Sequence, residues 1–255
     1  MFNLCAPMSW ATISNLQRYK NLLKHSYSQP RLLHSLQRIY YLCAPFQKIT
    51  AMREINPQDT SRASAFEMWM SSPMPMVTLT KTFDITHICK TGKKCGLKLN
   101  MLLCWSICKA ASQVEEFFTL PIGDKLFRFD KLAVNVIVPN AKGGINSCDI
   151  PYTENFEQFC KEYATRTNSV AESCQSIFDE EYMVIGTSAM IATELDSIVN
   201  QYTDKFLNPM VMWGKYRKSW FKKTLPISFQ FHHTQMDGAH AAKFLDTLQQ
   251  EISTL

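Results

Sequence analysis

The sequence predicts an α+β fold, in which helices cover a mixed, mainly antiparallel β-sheet. Two observations indicate this class. Predicted strands and helices follow one another without the strict βαβ alternation of parallel folds, and the last third of the chain is rich in strands that form meanders. A chain of 255 residues with 46% hydrophobic and 19% charged residues can bury a full core, most simply as one domain.

Residues 1–51 differ in composition from the rest of the chain. They hold six basic residues and no aspartate or glutamate, which leaves 21 of the 27 basic residues against 22 acidic ones in residues 52–255. This larger part lacks the excess of basic residues that is typical of nucleic-acid-binding proteins. No apolar run reaches the ~20 residues that cross a bilayer. We therefore expect neither nucleic acid nor a membrane as a partner.

The acid-free segment allows three interpretations. It could be an organelle-targeting presequence or a basic helix that lies on a membrane surface. We favour a third, an upstream extension that precedes a natural start at Met52, so that the domain spans residues 52–255. The nine scattered cysteines form no CxxC pair, which is typical of reduced thiols in a cytosolic protein, and we expect the protein to be cytoplasmic.

The first half of the domain is predicted to mix helices and strands. We expect a short helix that ends before Pro73, an alternating strand, a short helix that Asp84 caps and that ends near Gly92, and a largely buried helix that is the longest of the chain. These elements cover residues 62–70, 76–84, 84–92 and 97–117.

The second half is richer in strands. Strands are predicted at residues 125–130, 132–138, 145–150, 182–189, 209–220 and 224–232, and helices at 154–174 and 239–252. A basic turn over residues 217–223 joins the last two strands.

Residues 226–238 carry the clearest chemistry of the chain. Apolar residues alternate along a strand that delivers His232 and His233, and Asp237 and Gly238 follow just before an amphipathic helix. A titratable imidazole at a strand end, with an acid in the turn that leads to the helix, suits proton transfer.

This motif has four competing interpretations. A strand end with a hydrogen-bonded histidine and a capping aspartate needs no catalytic role. A metal site is disfavoured because adjacent strand residues such as His232 and His233 point to opposite faces, so we expect no metal. A Ser-His-Asp hydrolase is disfavoured because the sequence has no Gly-x-Ser-x-Gly elbow. A lone histidine that acts as general base toward a bound hydroxyl fits better, since a bound thioester can supply the acyl group.

The sequence His-His-Thr-Gln-Met-Asp-Gly at 232–238, followed by a helix, resembles the chloramphenicol acetyltransferase family. The catalytic domain of dihydrolipoamide acyltransferases shares that family's fold and a shorter version of the motif. Further segments resemble the first family in order from residue 52 to the C terminus, which supports Met52 as the start. They are Arg62-Ala-Ser-Ala-Phe66, Phe83-Asp-Ile-Thr86, Pro151-Tyr152 with Phe156-Glu-Gln-Phe159, Thr187-Ser-Ala189 and Pro209 with Gly214-Lys-Tyr216.

The resemblance implies a CoA-dependent acetyltransferase domain with named roles for its residues. His233 corresponds to the general base that takes the proton of the acceptor hydroxyl, and Ser188 to the serine that donates to the oxyanion and borders the coenzyme. Asp237 and Arg62 correspond to a buried ion pair that holds the histidine turn. Two further positions correspond to coenzyme contacts: Lys98 near a phosphate of acetyl-CoA and Tyr216 in its tunnel.

The sequence departs from the family at the acceptor side. Met212 stands where the family has a threonine, and a thioether cannot donate that hydrogen bond. Four more apolar residues replace those of the acceptor pocket: Met68, Trp69, Pro73 and Ile145. A hydrophobic acceptor is still expected, with chloramphenicol or a similar small alcohol as the first choice. An acceptor of another kind, including a thiol, and a catalytically silent binding protein are the alternatives. The resemblance also implies a homotrimer with active sites between subunits.

Overall fold

The computed structural model of the protein describes residues 52–255, and the interpretations of residues 1–51 lie outside them. Five α-helices occur in this range: α1 Ala63–Trp69, α2 Thr86–Cys95, α3 Leu99–Ala111, α4 Phe156–Ser173 and α5 Gly238–Thr254. The ten strands are β1 Met52–Ile55, β2 Met76–Asp84, β3 Thr119–Ile122, β4 Lys125–Phe129, β5 Leu132–Pro139, β6 Ile145–Pro151, β7 Met183–Met190, β8 Met210–Gly214, β9 Arg217–Lys218 and β10 Lys223–His232.

The strands form two sheets. The larger has the order β2-β10-β8-β7-β5-β6, with β9 paired to β10, and the smaller has the order β1-β4-β3. In the larger sheet β7 runs parallel to both β5 and β8. All other strand pairs of this sheet are antiparallel. The predicted class, an α+β fold with a mixed, mainly antiparallel sheet, is confirmed.

The core lies between the larger sheet and helices α3 and α5. Alternate residues of β10 supply its centre, because Phe229 and Phe231 are fully buried. Phe229 contacts Phe117 and Phe244, with ring centroids 5.7 and 4.6 Å apart. The other face of β10 is buried as well and carries Ser228 and Gln230. This strand is therefore a central one, and the residue that follows it emerges from a rigid part of the fold.

The predicted long helix over 97–117 is wrong in length. Helix α3 ends at Ala111, and a 3₁₀ turn over Glu115–Phe118 and strand β3 follow. The Ser112 hydroxyl and the Gln113 amide both donate to the carbonyl of Lys109, at 2.8 and 3.3 Å, so these side chains satisfy the end of the helix. Among residues 52–255 the longest helix is α4, with 18 residues.

Helix α2 also continues beyond its predicted end. It includes Gly92 and ends at Cys95. The capping residue that follows, Gly96, has φ of 68° and adopts the left-handed conformation that favours glycine. Gly92 has a different function, because a Cβ there would lie 3.0 Å from the carbonyl oxygen of Leu97 and 3.1 Å from Leu102. In residues 52–255, no helix combines the length and the apolar character that a bilayer span requires.

Candidate active site

Arg62 ties the turn after β10 to the segment that precedes α1. Its guanidinium donates three hydrogen bonds: Nη1 to Asp237 Oδ2 at 2.9 Å, Nη2 to the carbonyl of His233 at 2.7 Å, and Nε to the carbonyl of Thr234 at 3.1 Å. The Arg62 side chain is only 11% exposed. One buried cation thus fixes both ends of the turn that carries His233.

Asp237 serves the turn and helix α5 at once. Its Oδ1 accepts hydrogen bonds from the backbone N–H groups of Ala239 and His240, so it caps the helix while Oδ2 binds Arg62. Burial by itself raises the pKa of this carboxyl, but the hydrogen bond and the charge of His240, the Ala239 N–H and the charge of Arg62 together hold the pKa below its ordinary value. The carboxylate is therefore ionised at neutral pH.

The His233 ring is held by stacking. It lies on Trp69 of α1, with ring centroids 4.4 Å apart and planes 6° from parallel, and its backbone N–H donates to the carbonyl of Pro75 at 2.8 Å. Within the described residues, its buried Nδ1 has no hydrogen-bond partner. The ring plane is thus fixed while its hydrogen-bonding capacity is unused.

The neighbouring histidine, His232, has a different environment from that of His233. His232 is 2% exposed, and its Nδ1 accepts a hydrogen bond from the Thr234 N–H at 3.1 Å. Burial, with the nearby His233 as a second cause, lowers the pKa of His232 to about 4. His232 is therefore neutral at pH 7 and has a structural role.

Ser188 lies in a row of side chains that crosses the sheet. It pairs with Met212 of β8, and Met212 pairs with Ser228 of β10. The Ser228 hydroxyl lies 2.8 Å from that of Thr80 and accepts the N–H of Ile198. The thioether of Met212 thus separates two hydroxyls at a buried position.

Ser188 and His233 are not brought together within one chain. Two strand spacings separate Ser188 from Ser228, and five residues separate Ser228 from His233. With ~4.8 Å per strand and ~3.3 Å per residue, their Cα atoms are roughly 19 Å apart. A hydrogen-bonded centre that contains both side chains cannot form inside a single chain.

The two predicted coenzyme contacts do share a cavity. Lys98, at the start of α3, and Tyr216, after β8, line a cavity of about 850 Å³. Lys215 and Lys218 also line it and were not predicted as site residues, although the basic turn was recognised in the sequence. The cavity combines cationic groups with an apolar wall that includes Trp213, which suits an anionic ligand with an extended organic arm.

The predicted acceptor residues fall into two groups. Met68, Trp69 and Pro73 lie in α1 and the connection to β2, at one edge of the sheet. Ile145 lies on β6 at the opposite edge, five strand spacings or about 24 Å away. Met68 and Ile145 are largely exposed. These residues do not form one pocket within a single chain.

A second cavity, of about 380 Å³, was missed in the sequence. It lies next to Gly186, two residues before Ser188, and its wall includes Met210, Gln230, Asn135 and Asp149. The Asn135 amide donates to the Asp149 carboxylate at 2.7 Å. Its residues come from six strands and from the loops after α4 and β7, so no local sequence pattern could have identified them. In residues 52–255, no group of three or more His, Cys, Asp or Glu side chains is placed to bind a metal ion.

The family model described as chloramphenicol acetyltransferase matches residues 51–249. The chain belongs to the chloramphenicol acetyltransferase family. Chloramphenicol acetyltransferase 3 of Escherichia coli is 26% identical over 181 residues, which cover 68% of this chain and 84% of that protein. The resemblance found in the sequence is confirmed, and membership in this family makes the protein an acyltransferase.

Solved structures show the same fold. A chloramphenicol acetyltransferase aligns with a TM-score of 0.68 at 17% identity, over 79% of this chain and 99% of that one. A dihydrolipoamide acetyltransferase from Azotobacter vinelandii aligns with a TM-score of 0.54 at 16% identity, over 79% of this chain and 91% of that one. The fold is thus common to chloramphenicol and dihydrolipoamide acetyltransferases.

Replacing Arg62 by lysine should destabilise the protein although the charge is kept. A lysine ammonium cannot reproduce the planar three-way contact, so we expect the free energy of unfolding in urea to fall by about 2 kcal/mol. The exposed Arg53, replaced by lysine, is the matched control and should cost less than ~0.5 kcal/mol. Equal values for Arg62→Lys and Arg53→Lys would contradict the proposed anchoring.

Acid should destabilise the fold through His232. Its pKa is ~6.5 in an unfolded chain and about 4 in the fold, so the unfolded state binds the proton first. The stability is complete above pH 6.5 and falls as the pH drops from 6.5 to 4, by about 2 kcal/mol between pH 7 and pH 5. His232→Asn keeps a hydrogen-bond acceptor but does not titrate. Urea unfolding at both pH values should show a smaller drop for the variant, and equal drops would refute the assignment.

Proposed function

We propose that the protein is an acetyl-CoA-dependent O-acetyltransferase that acetylates a hydroxyl of chloramphenicol or a similar small apolar alcohol. It acts as a homotrimer with reaction centres between subunits. The observation that carries the proposal is the state of His233. Its ring is fixed by Trp69, its turn is anchored by Arg62, and its buried Nδ1 has no hydrogen-bond partner in residues 52–255.

His233 acts as the general base. Its Nδ1 is buried, so Nε2 is the nitrogen that a hydroxyl of the acceptor can reach. Stacking on Trp69 holds the ring plane, and the backbone bond to Pro75 holds its position along the turn. This placement reduces the entropy that must be lost when the proton moves from the hydroxyl to the ring.

Ser188 donates its hydroxyl hydrogen to the oxyanion that forms when the acceptor oxygen adds to the acetyl carbonyl. Since Ser188 and His233 are roughly 19 Å apart in one chain, the serine comes from a second subunit. Met212, beside Ser188, supplies no donor, so Ser188 carries this stabilisation without help from that position.

The 850 Å³ cavity fits acetyl-CoA, which supplies the acetyl group as a thioester. Lys98, Lys215 and Lys218 can hold its phosphates, and Tyr216 can pack on its pantetheine arm. Ile191, three residues after Ser188, lines the same cavity. The end of β7 therefore connects the coenzyme cavity with the proposed oxyanion donor.

The positions of the predicted acceptor-binding residues also favour an oligomer. Trp69 stacks on His233 and Met68 and Pro73 belong to the same segment, whereas Ile145 lies at the other edge of the sheet. A neighbouring subunit can bring the two groups together in an apolar pocket and cover the exposed side chains of Met68 and Ile145. Chloramphenicol is the first choice of acceptor because the E. coli relative is named for it. The location in the cytoplasm stays a prediction.

The test of the reaction is release of CoA thiol from acetyl-CoA in the presence of chloramphenicol. The parent protein should release CoA only when chloramphenicol is present, and His233→Ala should lower the rate by about 10³-fold. The exposed His87, replaced by alanine, is the matched control and should leave the rate unchanged. Release with dihydrolipoamide and none with chloramphenicol would overturn the acceptor, and no release with either would support a catalytically silent binding protein.

Sharing of the centre between subunits can be tested by mixing two inactive variants. After joint unfolding and refolding of equal amounts of His233→Ala and Ser188→Ala, each mixed trimer should contain one intact centre out of three. Random assembly then restores about one quarter of the parent rate. Each variant refolded alone should stay inactive. If the mixture is as inactive as its components, the two residues do not meet across an interface.

A further inference from the structure

Two aromatic side chains stand at the tip of the β9–β10 hairpin. Trp220 is 95% exposed and Phe221 is 92% exposed, the largest exposures among the large hydrophobic residues of 52–255. They are the two central residues of the turn, which the bond from the Ser219 N–H to the Lys222 carbonyl closes at 2.8 Å. Lys218 pairs with Lys223 directly behind the turn.

The fold of the chain does not explain this pair. Two-residue hairpin turns favour glycine or asparagine with positive φ, because that geometry matches the strand twist. Trp220 and Phe221 both have negative φ, and at these exposures neither ring packs against residues 52–255. The two residues thus neither favour the conformation of the turn nor pack in the core, which points to a contact outside the chain.

The hairpin belongs to a basic surface. Residues 205–236 contain six basic and no acidic residues, and residues 85–114 contain five basic and no acidic ones. The two stretches meet where the Ile85 N–H donates to the Lys223 carbonyl and the Lys223 N–H donates to the Thr86 hydroxyl. An anionic partner suits this surface.

Three acidic residues face the hairpin and neutralise part of its charge. Arg217 pairs with Asp196 and lies 3.8 Å from Glu194, and Lys222 lies 3.5 Å from Asp84. Within the described residues, Lys215 and Lys218 take part in no ion pair, and both line the 850 Å³ cavity. Lys223, behind the turn, is also in no ion pair of residues 52–255, so the unpaired cations lie beside the cavity and at the base of the hairpin, while Glu194 is the acidic residue of the cavity wall.

We propose that the Trp220–Phe221 tip provides a stacking surface for the adenine ring of CoA, while Lys215 and Lys218 bind its phosphates. The inference rests on the proposed function, since it assigns the cavity to acetyl-CoA. Trp220 lies two residues, or about 7 Å along the strand, beyond Lys218. The nucleotide end of a coenzyme that emerges past Lys218 meets the aromatic pair there. Stacking of a base on an aromatic side chain needs only an exposed ring face.

An anionic membrane surface fits the hairpin less well. A bilayer would need uncompensated positive charge around the tip. The carboxylates of Asp84, Glu194 and Asp196 lie against basic side chains of the hairpin, and Asp196 is 93% exposed. A small ligand that enters beside Lys218 meets only Glu194 of these three, since Glu194 also lines the cavity, whereas a flat lipid surface would approach all of them.

The test is calorimetric binding of CoA, and separately of pantetheine 4′-phosphate, to the full chain. Trp220→Ser should weaken CoA binding about tenfold (~1.4 kcal/mol) and leave pantetheine 4′-phosphate unchanged. Trp220→Phe should restore most of the affinity, because it keeps a ring. Ile122→Ser, at an exposed hydrophobic residue of the smaller sheet, is the control for loss of apolar surface and should bind both ligands like the parent.

A second variant separates binding from folding. Trp220→Asn combined with Phe221→Gly installs the turn that hairpins prefer, so its melting temperature should equal or exceed that of the parent while CoA binding falls as for Trp220→Ser. If the parent binds CoA and both tip variants bind it equally well, the inference is overturned and the proposed function stands. If the parent binds no CoA, both are overturned. Binding of phosphatidylserine vesicles that the tip variants lose, with unchanged CoA affinity, would assign the hairpin to a membrane instead.

Discussion

The geometry of the candidate site depends on one buried cation. Arg62 contacts two successive backbone carbonyls and one carboxylate of the turn that begins at His233. Removal of the guanidinium would leave Asp237 without its partner and the two carbonyls without their donor, which costs more than the ion pair itself contributes. Asp237 in turn starts helix α5, so the position of that helix and the position of the histidine are set together.

A second constraint is the distance between Ser188 and His233 within one chain. The sheet places His233, the proposed general base, at the end of β10 and Ser188, the proposed oxyanion donor, two strands away at roughly 19 Å. The cavity proposed for the coenzyme includes Ile191, three residues after Ser188, whereas Trp69 stacks on His233. Under the proposed function each chain therefore contributes halves of two different centres, and catalysis is conditional on assembly. The isolated chain exposes apolar side chains, as such an assembly would require.

The sequence could predict those features that depend on residues close together in the chain. The bounds of β2 follow from strict alternation, and the histidine turn is contiguous, so its residues could be named together. The end of α3 could not be predicted, because it depends on where Ser112 and Gln113 find acceptors. Nothing in the sequence indicated that Ile145 and Trp69, assigned to one pocket, lie at opposite edges of the sheet of one chain. Strand order results from long-range pairing, which periodicity does not encode. The cavity beside Gly186 was missed for the same reason.

The pairing of β2 with β10 also affects the synthesis of the protein. Strand β2 ends at residue 84, and its only neighbour in the described sheet begins at residue 223. During translation this strand leaves the ribosome long before its partner, with both edges unpaired and alternate apolar residues uncovered. The hydrogen bonds of Arg62 span more than 170 residues of sequence and form at the same late stage. The turn that carries His233 is therefore completed only after β10 has been made, and a chain that stops before β10 has neither this turn nor the pairing partner of β2.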